Sequence, residues 1–206
     1  LALVEPYLDK AIGIENQKLF ASEKAQDDPA FWVKYNSYRI WQKGGEILAG
    51  GILGTSMGAL FGIIFAFSRK TLPEGHDAKK ALVLAAIMWF TIFLIPFLKY
   101  PANPPTVGDP DTVVLREILF LSFIAISGFG ALGFYRLSKK LQKRKKILSI
   151  IGYAAFMSIV FVLMPINPDK MTAPLELVND FRVMSLVTVT LYWISNAIIL
   201  GVLWQR

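Results

Sequence analysis

Five long apolar runs, Ile47 to Phe67, Ala81 to Leu98, Ile118 to Tyr135, Ile147 to Met164 and Val183 to Trp204, alternate with shorter polar segments along the chain. Each is about as long as a helix must be to cross the hydrocarbon core of a bilayer. None contains Asp, Glu, Lys, Arg or His. Backbone polar groups at membrane depth are then closed inside helices, and no charge has to be buried in lipid. The pattern predicts an all-α, polytopic transmembrane helical bundle with five complete spans. Residues 1–46 read as a polar segment that follows a truncated apolar stump, Leu1-Ala2-Leu3-Val4, and residues 47–206 as the five-span membrane domain. The stump predicts a sixth helix preceding Leu1.

Composition supports this picture, because 54% hydrophobic residues exceed what a small water-soluble core can absorb without large apolar patches. Cysteine is absent, which removes disulfides, thiolate metal sites and cysteine nucleophiles together. The net charge of +7 acquires meaning from its placement. The connection 68–80 holds Arg69, Lys70, Lys79 and Lys80, and the connection 136–146 holds seven basic residues and no acid. The alternate connections hold only Lys99 with Arg116, and Lys170 with Arg182. By the positive-inside rule, loops 68–80 and 136–146 face the cytoplasm, with Arg206. Loops 99–117 and 165–182 and the segment 5–46 then lie outside. A short basic run between two spans is also the form of an anionic-lipid or nucleic-acid patch. The topological reading accounts for it without a nucleic-acid partner.

In the first span Gly50, Gly54, Gly58 and Gly62 recur every four residues and share one helical face. Such a stripe admits the close approach of another backbone, from a neighbouring helix or a second subunit, or lines a path for a solute. A second pattern is an internal repeat. Pro101-Ala102-Asn103-Pro104 and Pro165-Ile166-Asn167-Pro168 end the second and fourth spans at an offset of 64 residues, and Arg116 and Arg182 precede the following spans at an offset of 66. Arg39 stands in the equivalent place before the first span. The arrangement predicts three repeated helix hairpins, a form known among transporters. The bland reading is that Pro and Asn stop helices and that Arg39, Arg116 and Arg182 anchor them at the membrane interface.

Polar chemistry collects in the loops. Asn103, Asp109 and Asp111 lie among four prolines, and Asn167 and Asp169 follow the fourth span, with Glu176 and Asp180 further on. Carboxylates and amide carbonyls on loops stiffened by proline suit a hard or borderline divalent cation. The same residues are turn formers, helix caps and partners for Arg116 and Arg182. His76 is the lone histidine; beside Glu74 and Asp77 it reads as a solvated loop residue or a weak station for a cation. Asn196 is the strongest polar group at depth, placed to bridge helices or to line a pathway. No phosphate loop, nucleophile with base, or histidine pair occurs, so neither an ATPase engine nor a hydrolytic site is predicted.

The stretch Phe97-Leu98-Lys99-Tyr100-Pro101-Ala102-Asn103-Pro104-Pro105-Thr106-Val107-Gly108-Asp109-Pro110-Asp111-Thr112 closely resembles the CbtA family, predicted membrane subunits of cobalt transporters, in its archaeal form. Tyr38 to Glu46, Gly58 to Gly62 and Asn167-Pro168-Asp169 resemble further blocks of that family, so the resemblance runs over nearly the whole chain. It implies a non-enzymatic cobalt permease subunit in the cell membrane, with Co²⁺ as the transported ion and a small single-span partner, CbtB, that bears histidines. On that reading Asp109, Asp111, Asn103, Asn167 and Asp169 capture the cation. The absence of ionisable groups within the spans favours a different role, a non-catalytic accessory subunit of a larger membrane complex such as an archaeal ammonia monooxygenase-type metalloenzyme.

Overall fold

A computed structural model describes residues 3–105, 107–142, 145–169 and 171–204. Leu1 and Ala2 of the predicted stump, Lys143 and Arg144 of the basic connection, Lys170, and the terminal Arg206 lie outside the described residues, as do Thr106 and Gln205.

The described residues form helices and turns only, in the order α1 (Glu5–Ala21), α2 (Pro29–Ser68), α3 (Asp77–Met88), α4 (Ile95–Lys99), α5 (Val113–Lys140), α6 (Lys146–Leu163) and α7 (Leu175–Trp204). A π-helical turn, Trp89–Leu94, joins α3 to α4, and a 3-10 turn, Pro110–Thr112, leads into α5. Five helical stretches, 29–68, 77–99, 110–140, 146–163 and 175–204, are long and apolar enough to cross a membrane. The protein is an all-helical, multi-pass membrane protein. Several polar connections are shorter than the apolar pattern alone suggests, since α5 continues through Lys140 and α7 already begins at Leu175, which puts Glu176, Asp180 and Arg182 on a helix.

The helix starts carry local signals. Pro29 opens α2, where its missing N–H costs nothing, and the Asp28 carboxylate accepts from the Phe31 N–H at 2.7 Å. His76 plays a similar part at α3, its Nδ1 accepting from the Lys79 N–H at 3.1 Å. Helix α2 is unbroken at residue 46, so the polar half and the first span are one helix of 40 residues. At 1.5 Å per residue that is about 60 Å, roughly twice the hydrocarbon thickness, so the helix is longer than one crossing requires.

The chain divides into two compact units, one formed by residues 1–85, 104–106 and 173–206, the other by residues 86–103 and 107–172. In the first unit, Arg39 on α2 is buried and reaches α1, donating to Glu5 at 2.9 Å and Asp9 at 2.7 Å. This arginine, expected at the interface before a span, here clamps two helices. Lys43 joins the same Glu5 at 2.7 Å. Phe61 packs edge-on against Trp193, and Phe65 against Trp204, tying α2 to α7.

The glycine stripe of α2 meets α7, but what approaches it is side chain. A Cβ at Gly54, Gly58 or Gly62 lies 4.0, 3.3 and 4.0 Å from Tyr192, Asn196 and Leu200, themselves spaced by four, while Gly50 has nothing within 4 Å. Tyr192 also donates to the Gly54 carbonyl at 3.0 Å, and Asn196 donates to the Tyr192 carbonyl of its own helix at 2.9 Å. Close backbone approach occurs elsewhere. A Cβ at Gly201 of α7 would stand 2.6 Å from the Ala78 Cα at the start of α3.

In the second unit α5 and α6 interlock through two reciprocal aromatic-on-glycine contacts. Phe134 of α5 lies over Gly152 of α6, and Phe156 of α6 over Gly130 of α5, each 2.8 Å from where a Cβ would sit. Phe123 is fully buried between Tyr100 and Phe161.

Candidate functional site

The site residues expected from sequence all fall in the second unit, in residues 100–103 and 107–112 after the second span and residues 164–169 after the fourth. Proline shapes both segments. The Tyr100 hydroxyl donates to the Pro165 carbonyl at 2.6 Å, and Lys99 Nζ donates to the Phe161 carbonyl at 2.7 Å, a group left over at the end of α6. Burial pushes the Tyr100 phenol above its ordinary range.

Asp109 works largely through local bonds. Its side chain accepts from the Asp111 N–H at 2.9 Å, which starts the 3-10 turn. Its carbonyl accepts from the Thr112 N–H at 3.1 Å and from Arg116 Nη2 at 3.2 Å. Asn167 closes the equivalent turn in the other segment, its side-chain oxygen accepting from the Asp169 N–H at 3.0 Å. These are Asx turns, in which a short polar side chain replaces a backbone partner.

The two segments are joined by Asp169. Its carboxylate is 2% exposed, accepts from the Thr112 hydroxyl at 2.6 Å, and lies 2.9 Å from Arg116 Nε. Gly108 makes the close packing possible: it has a φ of +116°, and a Cβ there would sit 2.6 Å from Arg116 Nη1 and closer still to Asp169. The structure thus brings Asp109, Asn167 and Asp169 into one network with Arg116, while Asp111 stays exposed and Asn103 lies half-buried in the irregular segment that follows α4. Sequence reading placed the carboxylates and Arg116 but not Thr112 or Gly108. The spacing of Thr112 and Arg116, four residues apart at a helix start, was the available signal.

A resident cation does not fit this arrangement as it stands, because the oxygens of Asp169 are engaged by a hydroxyl and a guanidinium. Among the described residues no three of His, Asp and Glu come together as a metal ion requires. His76 is likewise in use as a helix cap, and neighbouring Asp77 is held by Arg69 through two bonds of 2.6 Å.

The described residues thus form an all-helical, multi-pass membrane protein whose loop cluster is tied together by Asp169 and Arg116. The chain belongs to the CbtA family: the family model described as "Probable cobalt transporter subunit (CbtA)" matches residues 1–205. No curated protein and no solved structure matches it.

Proposed function

We propose that this chain is the membrane-embedded subunit through which a divalent cation, Co²⁺, is moved across the cell membrane, working with further subunits. The observation that carries this reading is the coincidence of five apolar spans with a family match over essentially the whole chain. The accessory-subunit alternative finds no support in either. In this reading loops 68–80 and 136–146 are cytoplasmic, and the Asp109–Asp169 cluster faces outside, where the cation arrives. Exposed Asp111 makes the first contact, and Asn103 adds its amide oxygen. Asp109, Asn167 and Asp169 shape the mouth, and Asp169 becomes a ligand only when Arg116 moves aside. The partner, a small CbtB-like membrane protein, supplies nitrogen ligands that this chain lacks.

The test is uptake of radioactive Co²⁺ by cells that express the full transporter, normalised to membrane abundance. Asp111→Asn keeps shape and removes charge, and should lower uptake severalfold at limiting Co²⁺ with abundance unchanged. Loss of subunit association with normal uptake per remaining complex would refute a capture role and leave the loops as docking surfaces.

A further inference from the structure

The π turn between α3 and α4 sits at the middle of an apolar span, and its hydrogen-bond ladder leaves one carbonyl without an N–H partner. The Ile95 N–H donates to the Phe90 carbonyl, five residues back, and not to Thr91. The next residue able to reach Thr91 is Pro96, which has no N–H. The Thr91 carbonyl is therefore left outside the ladder in a medium that offers no water. Its partner comes from α5: the buried Ser127 hydroxyl donates to it, and Tyr153 of α6 is hydrogen-bonded to that hydroxyl at 2.8 Å.

Pro96 denies the helix a complete ladder in either register. With the π turn present the free carbonyl is that of Thr91. Were Ile95 to return to Thr91, as in an ordinary α-helix, the free carbonyl would be that of Ile92. The hydroxyl of Ser127 thus favours the π register over the α register, and π turns are themselves rare, occurring mostly as single-turn bulges inside α-helices. We propose that Thr91 to Pro96 is a two-register hinge latched by Ser127 and Tyr153. Exchange of register adds or removes one residue from the turn, so it rotates α4 by about 100° and shifts it by about 1.5 Å. Movement of that size breaks the bonds from Lys99 to Phe161 and from Tyr100 to Pro165, and so couples the middle of the span to the loop that carries Asn103. As the moving part of a cation pathway the hinge rests on the transport reading above; as a conformational element it does not.

Because the chain contains no cysteine, spin labels can be placed at Leu98 on α4 and Val162 on α6, both well exposed. A rotation of about 100° carries a side-chain tip at a radius of 5–6 Å through about 8 Å. In the complete protein in nanodiscs, the parent should show one dominant distance. Pro96→Ala, which restores the missing N–H and lets the common α register close, and Ser127→Ala, which leaves the Thr91 carbonyl without a partner, should each bring up a second distance. Ser127→Thr keeps the hydroxyl and should retain the parent distance. Unchanged distances in Pro96→Ala, which does not depend on the latch for folding, overturn the hinge. A second distance with full Co²⁺ uptake overturns its part in transport. A second distance in a protein whose parent moves no Co²⁺ supports the hinge while the proposed function falls.

Discussion

Adding one methyl group at each glycine of the α2–α7 and α3–α7 contacts is a graded test of the packing. At Gly50 the new Cβ meets nothing within 4 Å, at Gly54 and Gly62 it makes ordinary contacts at 4.0 Å, and at Gly58 it meets the Asn196 oxygen at 3.3 Å. At Gly201 it is driven to 2.6 Å from the Ala78 Cα and 3.0 Å from its Cβ, and a backbone atom cannot rotate away as a side chain can. Carbon atoms settle near 3.5–4.0 Å, so one helix must retreat by about 1 Å. Overpacking of this kind costs about 1–3 kcal/mol, and the backbone obstruction puts Gly201→Ala near the upper end. The helix-propensity gain of replacing glycine with alanine returns up to about 1 kcal/mol at every site. The expected net is a loss of about 2 kcal/mol at Gly201, near zero at Gly58, and a slight gain at Gly50 and Gly54. A loss of about 2 kcal/mol lowers the folded-to-unfolded ratio about thirtyfold. Thermal unfolding of the purified protein in detergent, followed by size-exclusion fluorescence, measures the series. Tolerance at Gly201 together with damage at Gly50 would refute the assignment and place the stripe against a different partner.

Further outcomes follow from the loops. Asp169→Asn removes one partner of a nearly buried ion pair; the usual cost of about 3–5 kcal/mol falls to about 2 here because Arg116 is 27% exposed, and proteolysis of the 100–112 segment should accelerate accordingly. For topology, single cysteines at Gln142 and at exposed Met171 should react with an impermeant reagent in intact cells only at Met171, and labelling of Gln142 alone would invert the orientation. Val107, in the same class of loop as Met171, is buried and unsuited to the measurement. Asp77 heads α3 before its apolar stretch, and Arg69 holds its carboxyl below the ordinary value of 3.8. At acid pH the unfolded carboxyl binds the proton first, so this contribution is complete above the ordinary carboxylate range and is lost as pH falls through the lowered folded value. Amide exchange at residues 77–80 should rise over that acid window in the parent and be pH-independent beyond intrinsic rates in Asp77→Asn.

What the sequence determined by itself was the membrane character and the five spans, because apolar length and the exclusion of charge are properties of contiguous residues; the helices run on into polar flanks, α2 from Pro29 and α7 from Leu175, that the apolar pattern does not mark. The loop chemistry was half legible. Asp109 and Asn167 act as turn formers, a role written in their positions next to proline, whereas the bond of Asp169 to Thr112 and its pairing with Arg116 span 57 and 53 residues. The glycine stripe in α2 is visible as a period, and Gly54, Gly58 and Gly62 face α7. The tight contacts at Gly130, Gly152 and Gly201 are isolated residues whose meaning depends on the helix that meets them. The π turn was beyond reach for the same reason. Pro96 announces a missing donor, but only tertiary structure decides which carbonyl goes without, since that choice is made by a serine hydroxyl 31 residues further along the chain, on another helix.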